Sequence, residues 1–176
     1  MLVVGPSGAG KDTLLGLARS ACADDGSIVF PRRVVTRQAS QAEDNEELSL
    51  DGFRKAQAGG EFALYWEAHG HCYALPRRIE DDIRAGRTVV INVSRTVIDW
   101  VRRAYADVVV VSIAAPPEVL IERLKTRARG SDGQIDGRLS RAVDDAAAPD
   151  VTIVNVGDAA DHARQLMKII KNGKEA

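Results

Sequence analysis

Residues 5 to 13, Gly5-Pro6-Ser7-Gly8-Ala9-Gly10-Lys11-Asp12-Thr13, set glycines, a lysine and a carboxylate in the spacing G-x-x-x-x-G-K. The chemistry this spacing serves is the gripping of a polyphosphate. Glycines let the backbone wrap close to the phosphates, successive N–H groups point inward as donors, and Lys11 brings a mobile cation to the β- and γ-phosphates. An apolar run, Leu2-Val3-Val4, precedes the loop. A helix-like stretch from Asp12 to Cys22 follows it, with Leu14, Leu15, Leu17, Ala18 and Ala21 at helical spacing. Strand, loop and helix are the context a phosphate loop requires, so a nucleoside triphosphate is expected on Gly5 to Thr13.

Asp12 stands where a Ser or Thr commonly follows the lysine and holds Mg²⁺. Two readings of it stand side by side. Its carboxylate supplies an oxygen to the metal, leaving Thr13 for a phosphate contact, or it merely complements the positive end of the helix dipole.

A second group that could do chemistry lies between 123 and 141, where Arg123, Lys125, Arg127, Arg129, Arg138 and Arg141 face only Glu122, Asp132 and Asp136. The centre, Gly130-Ser131-Asp132-Gly133, is loop-like. Arginines on such a loop can close over a triphosphate and neutralise charge on the transferred phosphoryl oxygens. Arg127, Arg129 and Arg138 are read in that role, Arg123 and Lys125 as solvated helix-face residues.

Elements that must position these groups alternate along the chain as strands and helices, the signature of an α/β fold. Strands are predicted at Leu2 to Val4, Ile28 to Val35 with a break at Pro31, Thr88 to Val93, Val108 to Ile113 and Val151 to Val156. Their continuous Val and Ile content suits a parallel sheet buried on both faces. Helices are predicted at Lys11 to Cys22, Thr96 to Ala104, Pro117 to Arg127 and Asp158 to Lys171. Residues 36 to 85 break the alternation. They carry a short helix around Phe53 to Ala58, the turn Gly59-Gly60, an aromatic run from Phe62 to Trp66, a tight turn at His69-Gly70 and a second helix starting near Pro76. This reads as a small inserted module that carries the phosphate acceptor.

The whole chain, 176 residues, suits a single catalytic domain. With 24 Lys and Arg against 25 Asp and Glu, no global basic field points to nucleic acid. Two cysteines, Cys22 and Cys72, make neither a disulfide framework nor a metal cluster, and a reducing cytoplasm is expected. No apolar run approaches the roughly 20 residues of a membrane span. Lys11 and Asp12 also interrupt the region where a signal peptide needs its apolar stretch.

Taken together, the loop Gly5 to Thr13, Thr36-Arg37, the run Phe62 to Tyr73, and Arg127 followed by Arg138-Leu139 make the chain resemble the guanylate kinase family over nearly its whole length. The resemblance implies a P-loop NTPase of the guanylate kinase-like type: a parallel sheet core flanked by helices, an inserted substrate-binding module at 36–85 and an Arg-rich lid at 123–141. It implies that Arg37 holds the acceptor's phosphate, that Tyr73 assists, and that Arg127 and Arg138 close on the triphosphate. Departures from the family fall at the base site. Leu64 stands where a Glu reads guanine, Ser40 replaces the second phosphate-binding Arg, and Asn92-Val93-Ser94 replaces an Asp-x-Asp. An unpaired buried polar group costs about 1–3 kcal/mol, so GMP is a poor acceptor.

These replacements resemble those of the ribose 1,5-bisphosphate phosphokinases, a branch of the same family from phosphonate breakdown. Matching segments are Gly10-Lys11-Asp12, Thr36-Arg37-x-Ala39-Ser40, Phe62-Ala63-Leu64-x-Trp66-x-Ala68-x-Gly70, Asn92-x-Ser94-Arg95, and Arg127-x-Arg129 with Arg138-Leu139-x-Arg141. The implied reaction moves the γ-phosphoryl of ATP, with Mg²⁺, to the 1-phosphate of a sugar bisphosphate, giving 5-phospho-α-D-ribose 1-diphosphate and ADP. Lys11, Arg127 and Arg138 are the expected catalytic residues. ATP falls to Gly5 through Thr13, with Arg129 and Asn155. The acceptor falls to Arg37, Ser40, Glu43, Trp66, Tyr73, Asn92, Ser94, Arg95 and Arg141, and Mg²⁺ to Asp12. Glu43 and Asp44 compete for one acidic position.

Some of these residues carry a second reading. Trp66 and Tyr65 alternate along a strand, so Trp66 either walls the pocket or packs the core. Asn92 and Ser94 alternate with Val93 at a strand's carboxyl end, where open α/β sheets place ligands. Asn155 borders the adenine or caps a helix. His69 and His71 read as polar turn residues. A nucleoside monophosphate kinase with a different base contact, and a non-catalytic guanylate kinase-like binding module, are the competing functions. The expected partner is a small molecule, with no nucleic acid and no membrane, and a homodimer is left open.

Overall fold

The computed structural model describes residues 1–37, 44–127 and 148–173, which divide into two compact units. The first holds Met1–Ala21 and the chain from Asn92 onward; the second is Cys22–Ile91. The expected insertion at 36–85 lies inside the second unit, which also takes in the segments on either side of it.

The first unit is built on β1 (Leu2–Val4), and its phosphate loop leads into α1 (Lys11–Ala21). β1 pairs in parallel with β9 (Val110–Ala114), and β9 pairs in parallel with β10 (Val151–Val154). On the other side of β1 lies β8 (Ile91–Asn92), giving the order β10-β9-β1-β8. All three residues of β1 are buried, as are Val110 to Ile113. That is why these strands read as apolar runs, interrupted only by the buried Ser112, rather than as alternating apolar and polar residues. Around the sheet run a single 3-10 turn (Arg95–Val97), α4 (Ile98–Ala104), α5 (Pro117–Arg127) and α6 (Ala159–Asn172). α6 buries Ala163, Leu166, Ile169 and Ile170 and packs against α1. Pro117 opens α5, where its missing N–H costs no helical bond.

The second unit contains two sheets. β2 (Ile28–Val29) and β7 (Thr88–Val89) pair in parallel. β3 (Arg33–Val35), β4 (Asn45–Glu47), β5 (Phe62–Ala68) and β6 (His71–Pro76) form the order β4-β3-β6-β5. The β5–β6 hairpin turns at His69 (φ 54°) and Gly70 (φ 75°), the left-handed geometry that a two-residue hairpin turn demands. α2 (Leu50–Ala58) starts at Ser49, whose side chain accepts from Gly52 N at 3.1 Å. It lays Phe53 and Ala56 into a core with Val34, Phe62 and Ala74, the two phenylalanine rings standing 4.8 Å apart.

Several boundaries differ from expectation. The predicted strand 28–35 is two strands belonging to different sheets, because Pro31 cannot donate to a ladder. The predicted strand 88–93 is likewise two, since Thr88–Val89 pairs with β2 whereas Asn92 belongs with β1's sheet. Pro76 ends β6 opposite Phe62 instead of starting a helix, and α3 (Ile79–Arg84) begins three residues later. Asp158 is the N-cap of α6, its carboxylate accepting from Ala160 N at 2.9 Å, so the helix-cap reading of Asn155 falls away.

Candidate active site

The first turn of the site is a set of backbone constraints. Gly5 has φ +143°, and a Cβ there would stand 2.1 Å from the Ile113 carbonyl oxygen of β9. Gly10 has φ +89°, and a Cβ there would meet Asn155 Nδ2 at 2.3 Å. Both positions therefore require glycine on two grounds, backbone conformation and contact. Gly8 and Ala9 are buried, Ser7 is exposed, and Leu14 N closes the first helical bond onto Gly10 O at 3.0 Å. The loop runs into the N-terminus of α1, where unpaired N–H groups and the dipole favour an anion.

Lys11 Nζ donates to the carbonyls of Gly5 at 2.9 Å and Pro6 at 2.8 Å, so the ammonium is held at the mouth of the loop. Asp12 follows in the first turn, and its Oδ1 accepts from Asn92 Nδ2 at 3.0 Å. One carboxylate beside a phosphate loop suits Mg²⁺. That ion takes hard oxygen ligands and usually needs only one or two carboxylates, with phosphates and water completing its shell.

Two residues from distant elements brace the loop from behind. Asn155, which follows β10, is 3% exposed. Its N–H continues the ladder to Ala114 O at 2.8 Å, and its Nδ2 donates to Ala9 O at 2.7 Å. Oδ1 of the same side chain is buried without a partner among the described residues. Arg123 of α5 donates through Nη2 to Asn155 O at 3.1 Å and through Nη1 to Gly8 O at 3.4 Å and Ala9 O at 3.5 Å.

The expectation for Arg123 is thus corrected: it is half-buried against the loop, not a solvated face residue. Its neighbours on the helix explain why. Leu120 and Leu124 are buried, so position 123 falls at the inward edge of α5. An arginine three residues after one buried leucine and adjacent to the next was the available signal. Lys125 is exposed, as expected.

In the second unit, Arg37 Nε donates to Tyr73 Oη at 3.4 Å. The pair is assembled by β3 and β6: Thr36 N donates to Cys72 O at 3.1 Å, and Cys72 N donates to Thr36 Oγ1 at 2.9 Å. Trp66 stacks on Tyr73, ring centroids 5.6 Å apart and planes 11° off parallel. Of the alternating aromatics, Trp66 is buried and Tyr65 is 53% exposed. Trp66 therefore supports Tyr73 by packing. Leu64, two residues before it on the same face of β5, is buried and apolar.

Ser94 accepts from Thr96 N at 3.3 Å and from Thr96 Oγ1 at 2.9 Å, capping the 3-10 turn that contains Arg95. Arg127 is the last residue of α5. The side chain of Arg127, together with Ser40, Glu43, Arg129, Arg138 and Arg141, lies outside the described residues.

The parallel sheet, the phosphate loop and the flanking helices define a P-loop kinase fold of the guanylate kinase type. The guanylate kinase from Anaplasma phagocytophilum has the same fold, with a TM-score of 0.71 over 100% of this chain and 86% of that one, at 21% sequence identity. Closer in sequence is a ribose 1,5-bisphosphate phosphokinase PhnN from Bradyrhizobium diazoefficiens, 64% identical over 173 residues, 98% of this chain and 87% of the relative. A protein of the same name from Rhodopseudomonas palustris is 63% identical over 174 residues, 99% of this chain and 89% of the relative. The chain belongs to the ribose 1,5-bisphosphate phosphokinase family and is a kinase. No protein-family model matches it. Among the described residues no helix is long and apolar enough to cross a membrane.

Proposed function

We propose that this protein transfers the γ-phosphoryl group of ATP to the 1-phosphate of ribose 1,5-bisphosphate, forming 5-phospho-α-D-ribose 1-diphosphate and ADP. The observation that carries the choice of acceptor is residue 64. Leu64 is buried at 6% exposure and offers no acceptor for a guanine N–H, so a purine would lose a hydrogen bond there. The names of the 64% and 63% identical relatives support the same acceptor.

In this reaction an oxygen of the acceptor's 1-phosphate forms the new bond to the γ-phosphorus, and the bond from that phosphorus to the β,γ-bridging oxygen breaks. A phosphate monoester is largely ionised near neutral pH, so no strong general base is needed. Catalysis rests on alignment and charge neutralisation. The loop from Gly5 to Gly10, Pro6 excepted because it has no N–H, presents backbone donors to the donor phosphates, and Lys11 neutralises charge at the β,γ-bridge. Arg127 and Arg138 neutralise the transferred group, Arg129 acts on the donor, and Arg141 on the acceptor. Arg37, held against Tyr73, takes an acceptor phosphate with its planar fork. Ser40, Glu43, Asn92, Ser94 and Arg95 serve the sugar bisphosphate, and Trp66 serves it through Tyr73. Asp12 would hold Mg²⁺, which would supply neutralisation of the donor's phosphate charge.

ADP release measured with ribose 1,5-bisphosphate and with GMP, in turn, tests the choice of acceptor. A kcat/KM for the sugar bisphosphate at least about 100-fold above that for GMP is expected, since a missing buried partner discriminates on that scale or more. Comparable values for the two acceptors would return the protein to the nucleoside monophosphate kinases.

A further inference from the structure

We infer that Asp12 and Asn92 are one metal-positioning pair in which the usual places of the charged and the neutral partner are exchanged. P-loop enzymes commonly hold Mg²⁺ with two side chains, a Ser or Thr directly after the loop lysine and an Asp supplied from a strand end. In this chain the residue after Lys11 is the acid, Asp12, and the strand-end residue on the neighbour of β1 is the neutral amide, Asn92. The two side chains touch, Asn92 Nδ2 donating to Asp12 Oδ1 at 3.0 Å across 80 residues of sequence.

Direct contact makes the two identities interdependent. A carboxylate at both positions would place two like charges within about 3 Å, which is strongly unfavourable without a cation between them. With neither acid the pair would lack its hard anionic oxygen. One acid and one neutral partner satisfy both constraints, and either order does so. Asn92 also fixes which oxygen of Asp12 is engaged: Oδ1 accepts the amide, while Oδ2 accepts no hydrogen bond among the described residues. The amide thus acts as a positioning residue for the carboxylate, in the manner of outer-shell groups that orient metal ligands. Asn92 sits at the carboxyl end of β8, beside the loop, so this role belongs to the donor side of the reaction whatever it also gives the acceptor.

The inference rests on the proposal that Asp12 holds the metal, and the test separates the two. Mn²⁺, a paramagnetic stand-in for Mg²⁺, is titrated into the full-length protein with saturating ADP and followed by electron paramagnetic resonance. The proteins compared are the unaltered chain, Asp12→Ser, Asp12→Ser with Asn92→Asp, and Asp12→Ser with Asn92→Ala. ADP binding without metal and thermal melting report on folding, and Asp12→Asn replaces Asp12→Ser should the latter not fold. Asp12→Ser is expected to weaken Mn²⁺ binding by about tenfold or more, on the scale of lost metal-site groups. Restoring the acid from the strand end is expected to recover most of that loss, and Asn92→Ala to recover none. If the Asp12→Ser, Asn92→Asp protein binds Mn²⁺ as weakly as Asp12→Ser, the exchange is wrong although Asp12 remains a ligand. If Asp12→Ser binds Mn²⁺ as tightly as the unaltered chain, the metal role of Asp12 falls, and the exchange with it.

Discussion

Asn155 Nδ2 donates to the Ala9 carbonyl at 2.7 Å, a buried bond that spans 146 residues and ties the last strand of the parallel sheet to the phosphate loop. Without it Ala9 O would keep only the long 3.5 Å bond from Arg123 Nη1, beside a loop whose N–H groups must point the other way, toward phosphate. The bond thus helps to set the direction of the loop's peptide planes. Asn155→Ala removes it and should cost about 1 kcal/mol of stability, the usual net contribution of one hydrogen bond, since Arg123 still donates to Ala9 O and the unpartnered Oδ1 goes with the side chain. Denaturant unfolding measures that loss. ATP affinity, measured where the variant remains folded, should fall as well.

Arg123 reinforces the same loop from α5. Replacing it by Met keeps most of the apolar stem that packs near Leu120 and Leu124 but removes the donors to Gly8 O, Ala9 O and Asn155 O. Hydrogen bonds from a charged donor contribute about 1.5–3 kcal/mol, so ATP should bind on the order of tenfold more weakly. Arg123→Lys, which keeps one cationic donor, should recover part of the loss. Titration calorimetry decides it: unchanged ATP affinity in Arg123→Met would make this arginine a packing residue only.

Gly10→Ala should be the more damaging change in the loop. It imposes a side chain at φ +89° and drives a methyl to 2.3 Å from Asn155 Nδ2. Adding Asn155→Ala relieves the clash without relieving the backbone strain, so the double variant should bind ATP better than Gly10→Ala and worse than the unaltered protein. Equal ATP affinities for Gly10→Ala and the double variant would place the whole penalty in the backbone.

Tyr73→Phe deletes the hydroxyl that accepts from Arg37 while preserving the stack on Trp66. Losing one such bond, about 1 kcal/mol, should raise the acceptor KM roughly fivefold and leave the KM for ATP unchanged. Trp66→Ala acts differently: emptying a buried indole site costs about 3–5 kcal/mol of stability and should lower the melting temperature before it alters specificity. Steady-state kinetics with each substrate varied in turn distinguishes the two effects.

The parallel core was legible because β1 and β9 are apolar runs broken only by Ser112 and β10 supplies Val151, Ile153 and Val154, and the phosphate loop because its spacing and its strand-to-helix context coincide. Helix α5 was legible in extent, from Pro117 to Arg127, but not in the direction Arg123 points. Charge suggested solvent, whereas the buried positions of Leu120 and Leu124 turn that residue inward. Pairing partners were also beyond reach of local pattern. Nothing around Thr88 to Val93 announces that the chain changes partner at Val90, since both halves are equally apolar. The Asn92–Asp12 bond is of the same kind, a contact across 80 residues that spacing cannot reveal. Resemblance placed Arg37 and Tyr73 in one role, and the register of β3 against β6, with Val35 opposite Tyr73, shows how they meet.

Phosphorus NMR of the purified protein with ATP, Mg²⁺ and ribose 1,5-bisphosphate, beside a matched sample containing GMP, tests the proposed reaction most directly. A new sugar-linked diphosphate signal, growing with ADP in the first sample and without GDP in the second, is the expected result. GDP in the second sample with no new diphosphate in the first would contradict it, and would show that Leu64 does not exclude a purine.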